Sequence, residues 1–394
     1  MTGPDQRIVI VDGARTPIGR YGGVFKDTPA HELGAVAARA ALTRSAVPAD
    51  AIEEVVLGCV GQVGPDAYNA RRVAIAAGLP KSTPAYTVNR LCGSGLQAIW
   101  SAAMEMRWNG LHFALAGGDE SMTRMPFYDF GARAGYKLGD RVLVDGTVLM
   151  LTDPFHHTQM GITAENVAER YRVSRADQDE FAAESQRRAA TPAARAAFAE
   201  EIVPVTTGGR HGAEVTTDEH PRPDTTVAAL ARLRPAFKEG GTVTAGNAAG
   251  INDGAAAVVL ASQSAAAERG LTPLVSIEAV ATGALEPDIM GYAPVIALRK
   301  LFAQTGTTPD DVDAVECNEA FAAQAVAVIR DARLNPDKVN PYGGAIALGH
   351  PVGATGAILA LRLAKHLVRN DLELGVVTMC IGGGQALAAL FRRV

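Results

Sequence analysis

The feature that most limits how this chain can fold is a faint internal repeat with a period of about 260 residues, too long for a solenoid. Pro48 to Cys59 (PADAIEEVVLGC) is echoed by Pro309 to Cys317 (PDDVDAVEC), and the turn-and-helix segment after Cys92 is echoed by the one after His350. Ala116-Gly117-Gly118-Asp119 then parallels Ile381-Gly382-Gly383-Gly384. Short apolar strands resemble one another readily, so the repeat suggests a duplicated unit without fixing its architecture. The 394 residues, 48% of them hydrophobic, suffice for two core-bearing units.

The reactive residues fall at matching places. Cys92 follows an apparent strand, precedes Gly93-Ser94-Gly95, and leads into a helix-like run from Leu96 to Met106. A thiol at a helix N-terminus meets free backbone N–H groups and the positive dipole end, which favour a thiolate. The same pattern also fits a core cysteine beside an ordinary turn. Asn318 comes just after the strand-like Val312 to Val315. His350 lies in a glycine-rich stretch before the helix-like Ala357 to Leu367, and Cys380 follows the apolar run Gly375 to Thr378. All four are read as strand-end residues, at the edge where open α/β sheets bind ligands. A lone histidine is more often structural; four such residues together point to a site.

The chain resembles the thiolases over essentially its whole length. The resemblance is carried by Asp12-Gly13-Ala14-Arg15-Thr16-Pro17, Asn89-Arg90-Leu91-Cys92-Gly93-Ser94-Gly95, Asn318-Glu319-Ala320-Phe321, Gly349-His350-Pro351-Val352-Gly353-Ala354-Thr355-Gly356 and Cys380-Ile381-Gly382-Gly383-Gly384. Several long motifs in the right order are far more specific than one short match. The resemblance implies an α/β thiolase fold: two duplicated α/β halves whose mixed sheets pack around shared central helices, plus an inserted loop domain. The expected division is 1–120 with 251–272 for the first half, 121–250 for the loop domain covering CoA and carrying oligomer contacts, and 273–394 for the second half.

It further implies an acyltransferase that cleaves 3-ketoacyl-CoA with CoA or runs the reverse Claisen condensation, either as acetyl-CoA C-acetyltransferase or as a broader 3-ketoacyl-CoA thiolase. Cys92 would carry the acyl group, with His350 as its base and a thiol pKa lowered by the helix end. Cys380 would be the second acid/base, again needing a lowered pKa. Asn318 would orient a water that, with His350, polarises the thioester oxygen. The N–H groups of Cys92 and Gly382 would form a second oxyanion hole. Leu151, Met160, Ala245, Ala320 and Phe321 map to the pantetheine channel, and Arg222, with Arg234 as a second candidate, to the nucleotide end. Departures from the family pattern are Gln159 in place of histidine, Ala229 and Ala249 in place of serines near CoA, and Ala386 in place of the last glycine. They leave the catalytic positions intact and bear on CoA affinity and substrate choice.

Other readings divide on Cys380. A decarboxylating or malonyl-using synthase of the same superfamily lacks a second catalytic cysteine, and a cysteine hydrolase built on Cys92, His350 and Asn318 has no use for one. A non-catalytic acyl-CoA-binding subunit should have lost at least one of these positions. Net charge of -5 gives no footprint for nucleic acid. No Cys-x-x-Cys or His-Glu-x-x-His spacing supports a metal site, and no cofactor is expected beyond CoA and acyl-CoA as substrates. Four cysteines do not suggest a disulfide framework; Cys59 and Cys317 read as packing residues. The N-terminus shows no secretory pattern and no segment reads as a membrane span. A nucleophilic thiol fits a reducing cytoplasm. The resemblance also implies a homo-oligomer, a tetramer built from dimers.

Overall fold

The computed structural model describes residues 7–62, 64–208 and 212–394. In the first half the order is β1 (Ile8–Arg15), α1 (Ala30–Ser45), β2 (Glu54–Gly58), α2 (Asn69–Ala76), β3 (Ala85–Val88), α3 (Ser94–Asn109) and β4 (Phe113–Ser121). An excursion of short strands and the helices α4 (Met160–Arg170), α5 (Arg175–Ala189) and α6 (Pro192–Glu201) follows before β5 (Asn252–Ser262) returns to the sheet. The second half comprises β6 (Val275–Ala284), α7 (Ala293–Thr305), β7 (Ala314–Cys317), α8 (Ala322–Asp331), α9 (Val352–Arg369), β8 (Leu374–Ile381) and β9 (Gln385–Arg393).

The sheet runs β7-β8-β9-β6-β1-β5-β4-β2-β3, with the two-residue strand Gly19–Arg20 added on β5. The halves repeat one topology. In each, two antiparallel pairings (β1–β5–β4 and β6–β9–β8) are followed by a parallel one, β4–β2 and β8–β7 respectively. Where β3 pairs parallel with β2, the second half has a single parallel bridge, Val315 to Val339. The halves join through Val9–Ser276 and Ile10–Val275.

Strand side chains alternate between two apolar layers, so both faces are buried and the strands read as continuous hydrophobic runs. Ala114 and Ala116 of β4, with Val377 and Met379 of β8, pack on Leu96, Ile99, Ile358 and Leu361 of the central helices α3 and α9. Phe113 and Leu115 face Leu33 and Val73 of the outer helices α1 and α2; Val315 and Val376 face Leu298 and Val328 of α7 and α8.

Glycines let the central helices touch backbone to backbone. A Cβ on Gly95 would stand 2.7 Å from the Ala357 nitrogen, and one on Gly356 would stand 2.4 Å from that of Leu96. This crossing brings the N-termini of α3 and α9, and hence the segments carrying Cys92 and His350, to one place. In the excursion, Ser174 caps α5 in a capping box with Asp177. Pro192 starts a helix there, occupying the first turn of α6 with Thr191 as N-cap, because proline lacks only an N–H that position leaves unpaired anyway.

A buried charge network ties the excursion to both halves. Arg15 at the end of β1 pairs with Glu201 at 2.7 Å and reaches Asp218 through two bonds of 2.7 and 3.0 Å. Arg362 of α9 lies 3.6 Å from Glu201 and 3.8 Å from Glu316. Both guanidinium groups stand 5.3 Å from the Phe198 ring centre.

Candidate active site

Three of the four candidate catalytic residues come from sheet ends, by different routes. Asn318 directly follows β7, and Cys380 is the penultimate residue of β8. Cys92 stands past β3 in a tight turn, where Arg90 N–H donates to Ser94 Oγ and Ser94 Oγ–H to the Leu91 carbonyl. Leu91 is held at φ 47, a left-handed conformation costly for a branched side chain. The turn thus presents Cys92 at the start of α3.

His350 departs from the strand-end expectation. Residues Ala345–Leu348 form one helical turn, because the buried carboxylate of Glu319 accepts from Ile346 N–H and competes with strand pairing. His350 follows Gly349, whose φ of 102 suits glycine, and its N–H donates to Asn252 Oδ1 at 3.0 Å.

The side chains converge. The N–H groups of Gly382 and of Cys92 itself lie where they favour a Cys92 thiolate, and Cys380 is close enough that charge on Cys92 would raise its pKa. A Cβ on Gly382 would sit 3.2 Å from Leu91 Cδ1 and 3.5 Å from Met160 Cε, so glycine keeps this approach open. Cys380 packs with Met290, Ala320, Phe321 and Met160. His350 Nε2 is 3.4 Å from Asn318 Nδ2, and its Nδ1 is 2.7 Å from Thr355 Oγ1.

The thiols differ from their sequence-based expectation. Burial pushes Cys92 up to about 11; the two N–H groups act in the opposite sense but do not overcome it. Burial also raises Cys380, well above an ordinary thiol, and thiolate charge on Cys92 would raise it further. Burial lowers His350 to about 4. The resting state is therefore neutral thiol and neutral imidazole: the helix end cannot match the loss of water. Inactivation of the ligand-free protein by iodoacetamide at Cys92 should consequently rise about tenfold per pH unit from roughly pH 7 to 10, tracking thiolate. A rate already flat near pH 7 would show a preformed ion pair instead.

The candidate CoA residues fall in separate groups. Arg222, Ala229 and Ala245 line a cavity of about 550 Å3 together with Gln186, His220 and Leu233. Met160, Ala320 and Phe321 gather around Cys380; Leu151 approaches through its carbonyl, which accepts from Met160 N–H. Arg234 and Ala249 are not among the residues lining the cavity; the Ala249 N–H is held by the Ala320 carbonyl instead. Gln159 is exposed ahead of α4, and Ala386 is buried in β9 opposite Cys380. His211 lies outside the described residues.

Sequence reasoning missed His220, Asn252 and Thr355 as site components. Thr355 was visible only as one letter of a motif.

Two family models cover nearly all of the chain: the thiolase N-terminal domain over residues 8–264 and the thiolase C-terminal domain over 271–393. The chain belongs to the thiolase family. This thiolase is 48% identical over 393 residues to the beta-ketothiolase BktB of Cupriavidus necator, covering 99% of this chain and 100% of that one. Its structure is similar to the Bacillus anthracis acetyl-CoA acetyltransferase, with a TM-score of 0.96 at 40% identity, covering 98% of this chain and 99% of that chain. It is also similar to human mitochondrial 3-ketoacyl-CoA thiolase in complex with CoA, at TM-score 0.95 and 40% identity, covering 99% and 98% respectively. The chain is thus a thiolase-type acyltransferase with the thiolase fold.

Proposed function

We propose that this thiolase cleaves 3-ketoacyl-CoA with CoA, and runs the reverse condensation, through an acyl group carried on Cys92, with acetoacetyl-CoA as its principal substrate. The observation that carries the reading is the closeness of Cys92 to Gly382 N–H and Cys380, with Asn318, 3.4 Å from His350 Nε2, held beside the Cys380 strand by its N–H bond to the Thr378 carbonyl.

In thiolysis, His350 Nε2 takes the Cys92 proton as sulfur attacks the 3-keto carbon. The C2–C3 bond breaks, its electron pair passes to C2, and Cys380 supplies the proton that completes acetyl-CoA. The Cys380 thiolate then takes the proton of the incoming CoA thiol, whose sulfur attacks acyl-Cys92. Cys92 leaves as thiolate and recovers its proton from His350. The N–H groups of Cys92 and Gly382 hold the oxyanion. Asn318 Oδ1 is buried without a protein partner, which suits it to hold a water against the thioester oxygen.

A Cys92 pKa near 11 fits a nucleophile that becomes charged only as substrate and base engage. Arg222, in the cavity it lines with Ala229 and Ala245, suits the anionic end of CoA, with the 121–250 segment as its cover. Phe127, Phe130, Leu138, Val142 and Leu143 of that segment are exposed, which supports the reading that it carries oligomer contacts in a homotetramer. A reducing cytoplasm suits four cysteines that are all free. Among the described residues no helix is long and apolar enough to cross a membrane.

A second reading, a broader 3-ketoacyl-CoA thiolase, is favoured by Phe155, whose exposed ring stands 3.6 Å from where a Gly383 Cβ would lie and offers a longer acyl chain an apolar surface beside the glycine loop. Thiolysis rates across 3-ketoacyl-CoA substrates of increasing length decide between them. A maximum at acetoacetyl-CoA is expected; a maximum at longer chains would establish the second reading, and no thiolysis of any substrate would refute both.

Ala229 lines the cavity where the family pattern has serine. Ala229→Ser should restore a hydrogen bond of about 0.5–1.5 kcal/mol, lowering KM for CoA roughly two- to thirteenfold with kcat within about twofold. Steady-state kinetics with varied CoA check this; an unchanged KM would place the side chain away from CoA.

A further inference from the structure

We propose that Thr355 is a positioning residue that locks His350 in its Nδ1–H tautomer and so keeps Nε2 an unprotonated acceptor, able to take the proton of the reacting thiol. The proposal rests on the functional reading above only in giving Nε2 a proton to take.

Thr355 Oγ1 lies 2.9 Å from the Pro351 carbonyl and 2.7 Å from His350 Nδ1. A hydroxyl has one proton, and a carbonyl oxygen can only accept. With that proton committed to Pro351, Oγ1 can only accept from Nδ1, which must carry a hydrogen. In the neutral ring Nε2 is then the acceptor. Across the site, Asn318 Nδ2 is a donor 3.4 Å from Nε2, in agreement with that assignment. The opposite tautomer would set N–H against N–H at Asn318 and lone pair against lone pair at Thr355.

The surroundings reinforce the lock. His350 is 7% exposed and Thr355 3%, so water cannot readily replace the hydroxyl. Burial alone pushes the imidazole down to about 4, with no carboxylate acting on it. A hydroxyl thus does the orienting here. It fixes direction and tautomer without adding the basicity a carboxylate would bring. Thr355 sits in the first turn of α9, where bonding to the carbonyl four residues back is a natural threonine geometry and its β-branch restricts rotation. When Nε2 takes the Cys92 proton, Nδ1–H stays on Thr355; when Nε2 returns it, the original tautomer is restored.

The test uses the full-length protein labelled with 15N-histidine, together with Thr355→Val and Thr355→Ser. The His350 nitrogens should report Nδ1–H in the wild type and in Thr355→Ser, and gain Nε2–H in Thr355→Val. In acetoacetyl-CoA thiolysis, kcat of Thr355→Val should fall roughly 10- to 100-fold, within what a positioned base contributes, with KM for CoA within about twofold. Thr355→Ser should stay within about threefold of wild type. An Nε2–H signal in the wild type would overturn the proposal even if Thr355→Val does not fold. So would full activity of Thr355→Val, or equal losses in both variants, which would indicate packing by the methyl group. A wild type showing Nδ1–H but no thiolysis would refute the assigned function and leave the tautomer lock standing.

Discussion

Cys92→Ala should lose thiolysis by at least about 10³-fold and show no acetyl adduct after incubation with acetyl-CoA, because no acyl carrier remains. Cys380→Ala should lose turnover to a similar extent yet accumulate one acetyl group per chain on Cys92, since acylation needs only the thiol, its base and the oxyanion donors. Intact-protein mass spectrometry reads both. An adduct persisting in Cys92→Ala and vanishing in Cys380→Ala would reverse the roles. The two thiols are distinguishable because their settings differ: Cys92 keeps part of its surface exposed at a helix start, whereas Cys380 is fully buried within β8.

The second large effect lies away from the thiols. Arg15→Met should destabilise the protein by about 3–5 kcal/mol, because it takes from buried Asp218 the guanidinium that pairs with it and leaves Glu201 only Arg362 at 3.6 Å. Burial opposes the charge of Arg15, but Asp218 and Glu201 outweigh it and raise the guanidinium pKa, so the cation is present at every working pH. Urea denaturation of the variant measures the loss. A change below about 1 kcal/mol would mean that the network relaxes or admits water. Arg15→Met should also raise KM for CoA, since Glu201 and Asp218 anchor the excursion that bears Arg222 and His220.

The Arg15 motif shows what the sequence made legible. Asp12-Gly13-Ala14-Arg15-Thr16-Pro17 identified the family, but its physical role depends on Glu201 and Asp218, some two hundred residues away. No local pattern joins them. Gly95 and Gly356 were legible as glycines beside reactive residues, while their mutual contact required the helix crossing. The duplicated halves were visible because the echoed stretches ending at Cys59 and Cys317 run through corresponding strands, β2 and β7.

His350 was misplaced onto a strand end because Ala345-Ile346-Ala347-Leu348 is as apolar as a strand; Glu319, reaching over to Ile346, decides otherwise. The thiol pKa values were misjudged for a related reason. A helix N-terminus is local and visible in sequence, whereas desolvation sums over everything packed around the sulfur. Thr355 and His220 act through spatial neighbours alone, so spacing offered no signal for them.

The central claim is that the thiol of CoA, and not water, receives the acyl group from Cys92. Product balance tests it most directly. Acetoacetyl-CoA and CoA are incubated with the wild-type protein, and acetyl-CoA, acetate and remaining CoA are quantified together. The structure predicts two acetyl-CoA formed for each acetoacetyl-CoA and each CoA consumed, with no acetate and no turnover when CoA is omitted. Acetate released at a rate independent of CoA would contradict it and make the protein a hydrolase.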